Sequence, residues 1–343
     1  MTMKLNEEYP FITVLILNYN GRKYLKSCLD SLLSMNYPSF KLVVIDNGST
    51  DGSLDFMTIH YPEIELIHLF KNCGYASAIN TAMNFVKSDY VAFLNNDVIV
   101  DPNWLHEMFC HFKSDEKIAA LTPKILFLHN RKIINSAGGN CDLFGIGWNR
   151  GNGEFDNHQY DSKEEVFYAN GAALLTKTDI WKEVGPFDSS FFLYGEDLDW
   201  CWRARLKGYK ILYIPSSVVY HCWQGSGSPM IPYLEKHWIT IFLKNYDLKT
   251  IFQLFFKYLS LKLLKFFWLL KYASNLNEKL AIFKSFCWNL NSFRHTWSNR
   301  LSIQASRKVS DEKIKKYMIK NSFELLAWSN QLLHPLLETF RDK

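Results

Sequence analysis

The sequence predicts an α/β fold, with a mostly parallel central sheet covered by helices on both faces and a helical C-terminal extension. Three observations predict it. The first 100 residues alternate between short β-rich runs and helical runs, the rhythm of βαβ units. Polar clusters close the apolar runs, as at Asn18-Tyr19-Asn20 and Asn95-Asn96-Asp97, where open α/β sheets bind ligands. From Pro232 onward the pattern is helical, without repeats or low-complexity tracts.

In order, Ile12–Leu17 is expected as a strand and Gly21–Leu33 as a helix with Leu25, Leu29, Leu32 and Leu33 on one side. Lys41–Ile45 is a second strand, ending in the turn from Asp46 to Gly52. Glu65–Leu69 is a short strand, Tyr75–Val86 a helix and Tyr90–Leu94 a strand that stops at Asn95. Between Ile118 and Gln159 the periodicity weakens and glycines accumulate, so a loop-rich or mixed β region is expected. Regularity returns at Phe167–Leu175. A helix follows over Glu196–Lys207 with Gly208 as its C-cap, then a strand over Lys210–Ile214. Gln224–Pro229, rich in Gly and Ser, is expected to be a mobile loop.

At 343 residues, with 48% hydrophobic and 21% charged residues, the chain has room for two ordered domains. The expected division is 1–230, an α/β body, and 231–343, a helical, basic and aromatic-rich region. The net charge of +5 is unevenly spread: residues 231–343 hold 19 Lys+Arg against 8 Asp+Glu, and residues 1–230 hold 20 against 26. A basic, aromatic tail suits an anionic membrane surface or a homo-oligomer contact. Nucleic acid is not expected, because these basic residues stand among Leu, Phe and Trp that demand burial. Over Leu248–Tyr272, Leu248, Phe252, Phe255, Leu259, Leu263, Phe266 and Leu270 form one helical stripe, with Lys249, Lys257, Lys262, Lys265 and Lys271 elsewhere. Such a helix either packs on the body or lies in a membrane interface. Seven singly scattered cysteines fit reduced thiols. With no secretory signal and no run of about 20 apolar residues, the body is expected to be cytoplasmic, with the tail peripheral on the inner face of the cell membrane.

Several polar residues stand where they could carry chemistry. Asp46 ends an apolar strand, where a carboxylate accepts from a nucleobase N–H or a ribose hydroxyl; Asp is equally an ordinary turn residue. Asn95-Asn96-Asp97 places one carboxylate where a divalent cation bridging two phosphates needs a ligand, although the tripeptide is also a good turn. Glu196, Asp197 and Asp199 put three acids at one helix start, where they interact favourably with the helix dipole. Asp197 there could also take a proton from an attacking hydroxyl. Glu196 could bind the acceptor, and Asp199 with Arg203 fits a helix-fixing pair. His221 could complete a metal shell or be structural.

The order of these blocks is more specific than any one of them. Val14–Gly21, Val44–Ser53, Asn72-Cys73-Gly74-Tyr75, Phe93–Asp97 and Gly195-Glu196-Asp197 together resemble the family-2 glycosyltransferases, which share a GT-A fold. The resemblance covers roughly residues 10–225. It implies that Asn18 and Tyr19 line the nucleobase and Asp46 binds base or ribose. Asn72 and Gly74 would approach the nucleoside, with Asn96 near ribose or phosphate. Asp97 matches the last position of the family's metal-binding motif, Asp197 the general base, and His221 a histidine that ligates the metal in several relatives. Asn95 departs from the motif, whose first position is Asp. Asn-Asn-Asp, Ser136-Ala137-Gly138-Gly139 and Arg300-Leu301-Ser302-Ile303-Gln304 are similar to bacterial rhamnosyltransferase-like members.

The expected activity is inverting transfer of a hexose, such as rhamnose or another deoxyhexose, in cell-surface polysaccharide synthesis. The donor would be a dTDP- or UDP-linked sugar with Mg²⁺ or Mn²⁺, and the acceptor a glycan or lipid-linked glycan. Two alternatives stand beside it: a nucleotidyltransferase on a similar sheet, and a non-catalytic sugar- or lipid-binding relative.

Overall fold

Strand β1 (Ile12–Asn18) lies inside the sheet, and its near-continuous apolar sequence follows from having both faces covered. A computed structural model describes residues 9–112, 115–223, 230–273 and 275–321. After β1 come α1 (Arg22–Leu33), β2 (Phe40–Asn47), α2 (Ser53–His60), β3 (Glu65–Leu69), α3 (Tyr75–Met83), β4 (Tyr90–Asn95), β5 (Val98–Val100) and α4 (Trp104–Phe112). The chain continues through β6 (Ile118–Phe127), β7 (Asn130–Ser136), β8 (Gly139–Cys141), β9 (Gly147–Asn149), β10 (Glu164–Glu165), β11 (Ala173–Lys177), α5 (Thr178–Val184), α6 (Glu196–Leu206) and β12 (Lys210–His221).

The main sheet runs β10-β12-β6-β11-β4-β1-β2-β3, and four of its seven neighbouring pairs are parallel. The β3-β2-β1-β4 part is wholly parallel, as the βαβ rhythm predicts. Strand β11 then enters antiparallel, between β4 and β6. On one face Ile12, Val14 and Ile16 pack with Leu25 and Leu29 of α1 and Trp104 of α4. On the other, Phe93 of β4 meets Trp181 of α5 and Phe187, with ring centroids 4.9 and 5.8 Å away.

The structure differs from the sequence reading where burial is most complete. The stretch expected to be loop-rich begins with β6, whose ten residues are all buried. A strand covered on both faces has no reason to alternate, so its period is invisible. Helices α2 and α4 are further elements that the pattern did not bring out. Strand β12 is one long strand with a register break between Ile214 and Val218. Pro215, which has no N–H to donate, falls in that break. Gln224–Pro229 lies outside the described residues.

The described residues form two compact units, one within 9–139 and 149–223 and the other within 140–148 and 230–321. In the second are α7 (Met230–Asn245), α8 (Leu248–Tyr272), α9 (Leu276–Lys279), α10 (Ala281–Asn291), α11 (Phe293–Ser306) and α12 (Asp311–Ile314). Asp247 caps α8 by accepting from Thr250 N at 2.6 Å. The inward side of α8 carries two cations beside Tyr258, Leu261 and Leu269: Lys262 and Lys265 are buried and both pair with Glu235 of α7, Lys262 at 2.8 Å. Most of the expected apolar stripe therefore points outward instead of into the unit, with Phe252 76% exposed and Leu263 48%.

Burial pushes the Glu235 carboxyl up, but Lys262 and Lys265 outweigh it and hold the group below the usual carboxylate range. A depressed carboxylate contributes stability above its unfolded pKa and loses it as pH falls through the folded one. Glu235→Ala should cost about 3–5 kcal/mol at pH 7, since it strands two buried ammonium groups. Urea unfolding should show that penalty shrinking as the solution is acidified.

Candidate active site

Asn18 and Asp46 are register partners at the carboxyl ends of the parallel strands β1 and β2. Both are buried, and Asn18 Nδ2 donates to Asp46 Oδ1 at 3.0 Å. The other Asp46 oxygen accepts from Ser49 N at 3.1 Å and faces His68 Nδ1 at 3.3 Å. Asn96 Nδ2 donates to Asn18 Oδ1 at 2.6 Å, so the ends of β1, β2 and β4 share one network. Gly21 permits this closeness, because a Cβ there would overlap Asn96 Nδ2. Tyr19 is 48% exposed beside the network.

Asn72 organises the loop before α3. Its Oδ1 accepts from Asn47 Nδ2 at 3.0 Å and from Gly74 N at 2.9 Å. Gly74 has φ +84, and a Cβ on it would overlap the Phe192 carbonyl. That carbonyl accepts from Tyr75 N at 2.7 Å, which ties the loop before α3 to the segment leading into α6.

Asp97 and His221 are brought together by the antiparallel pairing of β5 with β12, where Val98 stands opposite His221. Asp97 Oδ1 is 3.2 Å from His221 Nε2, and the Asp97 carbonyl accepts from Cys222 N at 2.8 Å. His221 Nδ1 faces Asn135 Oδ1 at 3.0 Å, and the tautomer that donates Nδ1–H to this oxygen turns the Nε2 lone pair toward Asp97. Two electron-rich atoms at that separation suit a shared proton or a cation, so a divalent metal fits the pair. No group of three or more His, Cys, Asp or Glu side chains placed to hold a metal occurs among the described residues. The remaining ligands would then come from phosphate and water.

Asp197 reaches this end of the sheet because β11 lies against β4. Asn95 N donates to Ala172 O at 3.0 Å, and the adjacent Gly171 N donates to Asp197 Oδ2 at 2.9 Å. Asp197 Oδ1 accepts from Leu198 N at 2.7 Å. Tyr75 OH donates to Gly171 O at 2.8 Å and so anchors the residue whose N–H holds Asp197. Asp199 is fully buried and pairs with Arg203 at 2.9 Å, whose guanidinium also donates to the Val184 and Pro186 carbonyls. Two consecutive left-handed residues, Tyr194 (φ 69) and Gly195 (φ 87), lead into α6.

Burial raises the Asp197 carboxyl above its usual range, although the Gly171 and Leu198 N–H groups pull it back. Glu196 is raised further, by burial first and then by the Asp197 charge. Its Oε2 is buried without a hydrogen-bond partner. Sequence reasoning overlooked Asn135, Gly171 and the role of Tyr75. Asn135 lies in the segment of weak periodicity, Gly171 carries no side chain to signal a role within the Phe167–Leu175 run, and Tyr75 stood in a quoted motif without a role of its own.

An acid raised on folding costs stability as pH rises from its unfolded pKa toward its folded one. Glu196→Gln should therefore melt above the wild type at pH 7 by a few degrees, with the gap closing below pH 4. Parallel thermal melts across that range check the sign.

Residues 13–182 match the family model described as "Glycosyl transferase family 2". The Pre-mycofactocin glycosyltransferase of Mycobacterium tuberculosis (strain ATCC 25618 / H37Rv) is 29% identical over 212 residues, 61% of this chain and 42% of that protein. The Poly-beta-1,6-N-acetyl-D-glucosamine synthase of Staphylococcus aureus (strain COL) is 26% identical over 230 residues, 63% and 50% of the two chains. The chain thus spans half or less of the length of these curated relatives. Among solved structures, GalNAc-T7 with UDP, GalNAc and Mn²⁺ aligns with a TM-score of 0.58 at 18% identity, covering 71% of this chain and 49% of that one. Mannosyltransferase PcManGT from Pyrobaculum calidifontis, in complex with GDP-Man and Mn²⁺, aligns at 0.52 and 15% identity, covering 87% and 86%. The chain carries a glycosyl transferase family 2 domain on a GT-A fold.

Proposed function

We propose that this protein transfers a hexose from a nucleotide-diphosphate sugar to a hydroxyl of a glycan acceptor, with inversion at the anomeric carbon. The observation that carries this reading is the convergence at one sheet end of an anchored carboxylate, Asp197, and a carboxylate–imidazole pair, Asp97 and His221. UDP and GDP-Man, each with Mn²⁺, in the two fold neighbours support a donor and metal of the same kind.

In this mechanism the Asn18, Asp46, Asn72 and Asn96 groups receive the nucleoside, and Asp97 with His221 would hold Mg²⁺ or Mn²⁺. When bound, the metal would neutralise the diphosphate as it leaves. Asp197 accepts the proton of the acceptor hydroxyl while that oxygen bonds to the anomeric carbon and the bond from that carbon to the phosphate oxygen breaks. The backbone N–H groups of Gly171 and Leu198 hold Asp197 in one orientation, and its raised pKa makes it a better base than an ordinary aspartate. Glu196, with a buried oxygen that no described group satisfies, would orient the acceptor. The donor is read as a dTDP- or UDP-linked deoxyhexose, such as rhamnose, and the acceptor as a lipid-linked glycan of a bacterial surface polysaccharide. A nucleotidyltransferase is less well served, because Asp51 already occupies the Arg22 N–H at the start of α1.

Asp197→Asn should keep its fold and its donor-induced thermal shift in Mn²⁺ while transfer falls roughly 10²–10⁴-fold. Asp97→Asn should lose the metal-dependent part of that shift. A panel of dTDP-, UDP- and GDP-sugars, read by thermal shift and by release of nucleoside diphosphate, tests both. Unimpaired turnover by Asp197→Asn would remove it as the base.

A further inference from the structure

The outward face of α8 is an apolar surface without a partner among the described residues. At 100° per residue, Phe252, Phe255, Phe256, Leu263, Phe267 and Leu270 fall within an arc about 120° wide. They are between 39% and 76% exposed. A second stripe continues along α10 and α11 through Phe283, Leu290, Phe293, Trp297 and Leu301, each at least 39% exposed. The two stripes border each other, since Phe266 of α8 and Phe286 of α10 pack on the same small cluster of Leu269, Ala281 and Ile282. A continuous apolar face of this kind is uncommon on a protein surface that meets only water.

Charge decides what covers it. Glu278 is the only acid between Leu248 and Ser306, so α8, α10 and α11 contain none. Lys249, Lys257, Lys271, Lys284 and Arg294 are all exposed on these helices. A second copy of the chain docking here would set cations against cations with no carboxylate to pair them. Anionic lipid headgroups complement the same surface. Among the described residues no helix is long and apolar enough to cross a membrane, so insertion would be in the plane of the interface. The inward pairing of Lys262 and Lys265 with Glu235 fixes the rotation of α8 that turns this face out.

We propose that the α8–α10–α11 face lies in the headgroup layer of an anionic bilayer, with its phenylalanines and Trp297 at the acyl boundary and its lysines on the headgroups. The test is flotation of the full chain, without donor, on phosphatidylglycerol-containing or pure phosphatidylcholine vesicles. The result is thus independent of sugar transfer. Wild type should float with the anionic vesicles and much less with the neutral ones, and high salt should release it. Phe252→Ser combined with Phe256→Ser and Phe267→Ser should lower binding at least tenfold. Lys257→Glu with Lys271→Glu, exposed positions that leave the apolar arc intact, should do the same if the triple variant folds poorly. Sedimentation velocity should show the same oligomeric state for wild type and variants. Failure of wild type to float would overturn the proposal, as would binding unchanged in the charge variant or an oligomer that the triple variant dissociates.

Discussion

The antiparallel placement of β11 against β4 is the constraint on which the candidate site depends. The parallel strands β3, β2, β1 and β4 put their carboxyl ends on one edge, which by itself gives Asn18, Asp46 and Asn96. Asp197 comes from more than 100 residues later in the chain. It arrives because β11 is zipped to β4, which lays Gly171 and Ala172 beside Asn95, and Gly171 N then holds the carboxylate. The Tyr75 hydroxyl and the Phe192 carbonyl tie the same region to the loop before α3. The polar edge of the parallel strands and the Asp197 carboxylate are thereby joined at one end of the sheet, and the proposed base needs such positioning.

Four buried carboxylates show how the fold distributes electrostatic cost. Asp46 is surrounded by donors, and Glu235 by two ammonium groups, so each is compensated where it stands. Glu196 has an oxygen without a partner and a like charge beside it. Buried polar groups left unsatisfied are costly, and they cluster where a ligand completes the site. Asp199, the third acid of the same helix start, is satisfied by Arg203 and holds α6 on the segment after α5. The acid cluster thus contains a structural brace, Asp199, beside the proposed base, Asp197.

The parallel part of the sheet was legible in the sequence because its strands are short, bounded by polar turns and separated by helices. The residues at its carboxyl ends were legible for the same reason, since a polar cluster after an apolar run marks a strand end. Strand β6 was not, because a strand buried on both faces carries no alternation. Asn135 was hidden with it, as its role depends on the pairing of β7 with β6 and of β12 with β6, which no local pattern reveals. Helix α8 gave its stripe and its limits, but its orientation needed Glu235, thirteen residues before the helix begins. A stripe of Leu and Phe ordinarily faces inward, and here two lysines neutralised by one glutamate share that side with Tyr258, Leu261 and Leu269.

The most direct measurement of the account is anomalous diffraction from crystals grown with Mn²⁺ and a nucleoside diphosphate. The account predicts a manganese peak at coordination distance from the Asp97 carboxylate and His221 Nε2, with the diphosphate on its open side and Asp197 free of it. A peak on Asp197 or Glu196, or an ordered nucleotide with no metal at Asp97 and His221, would contradict it.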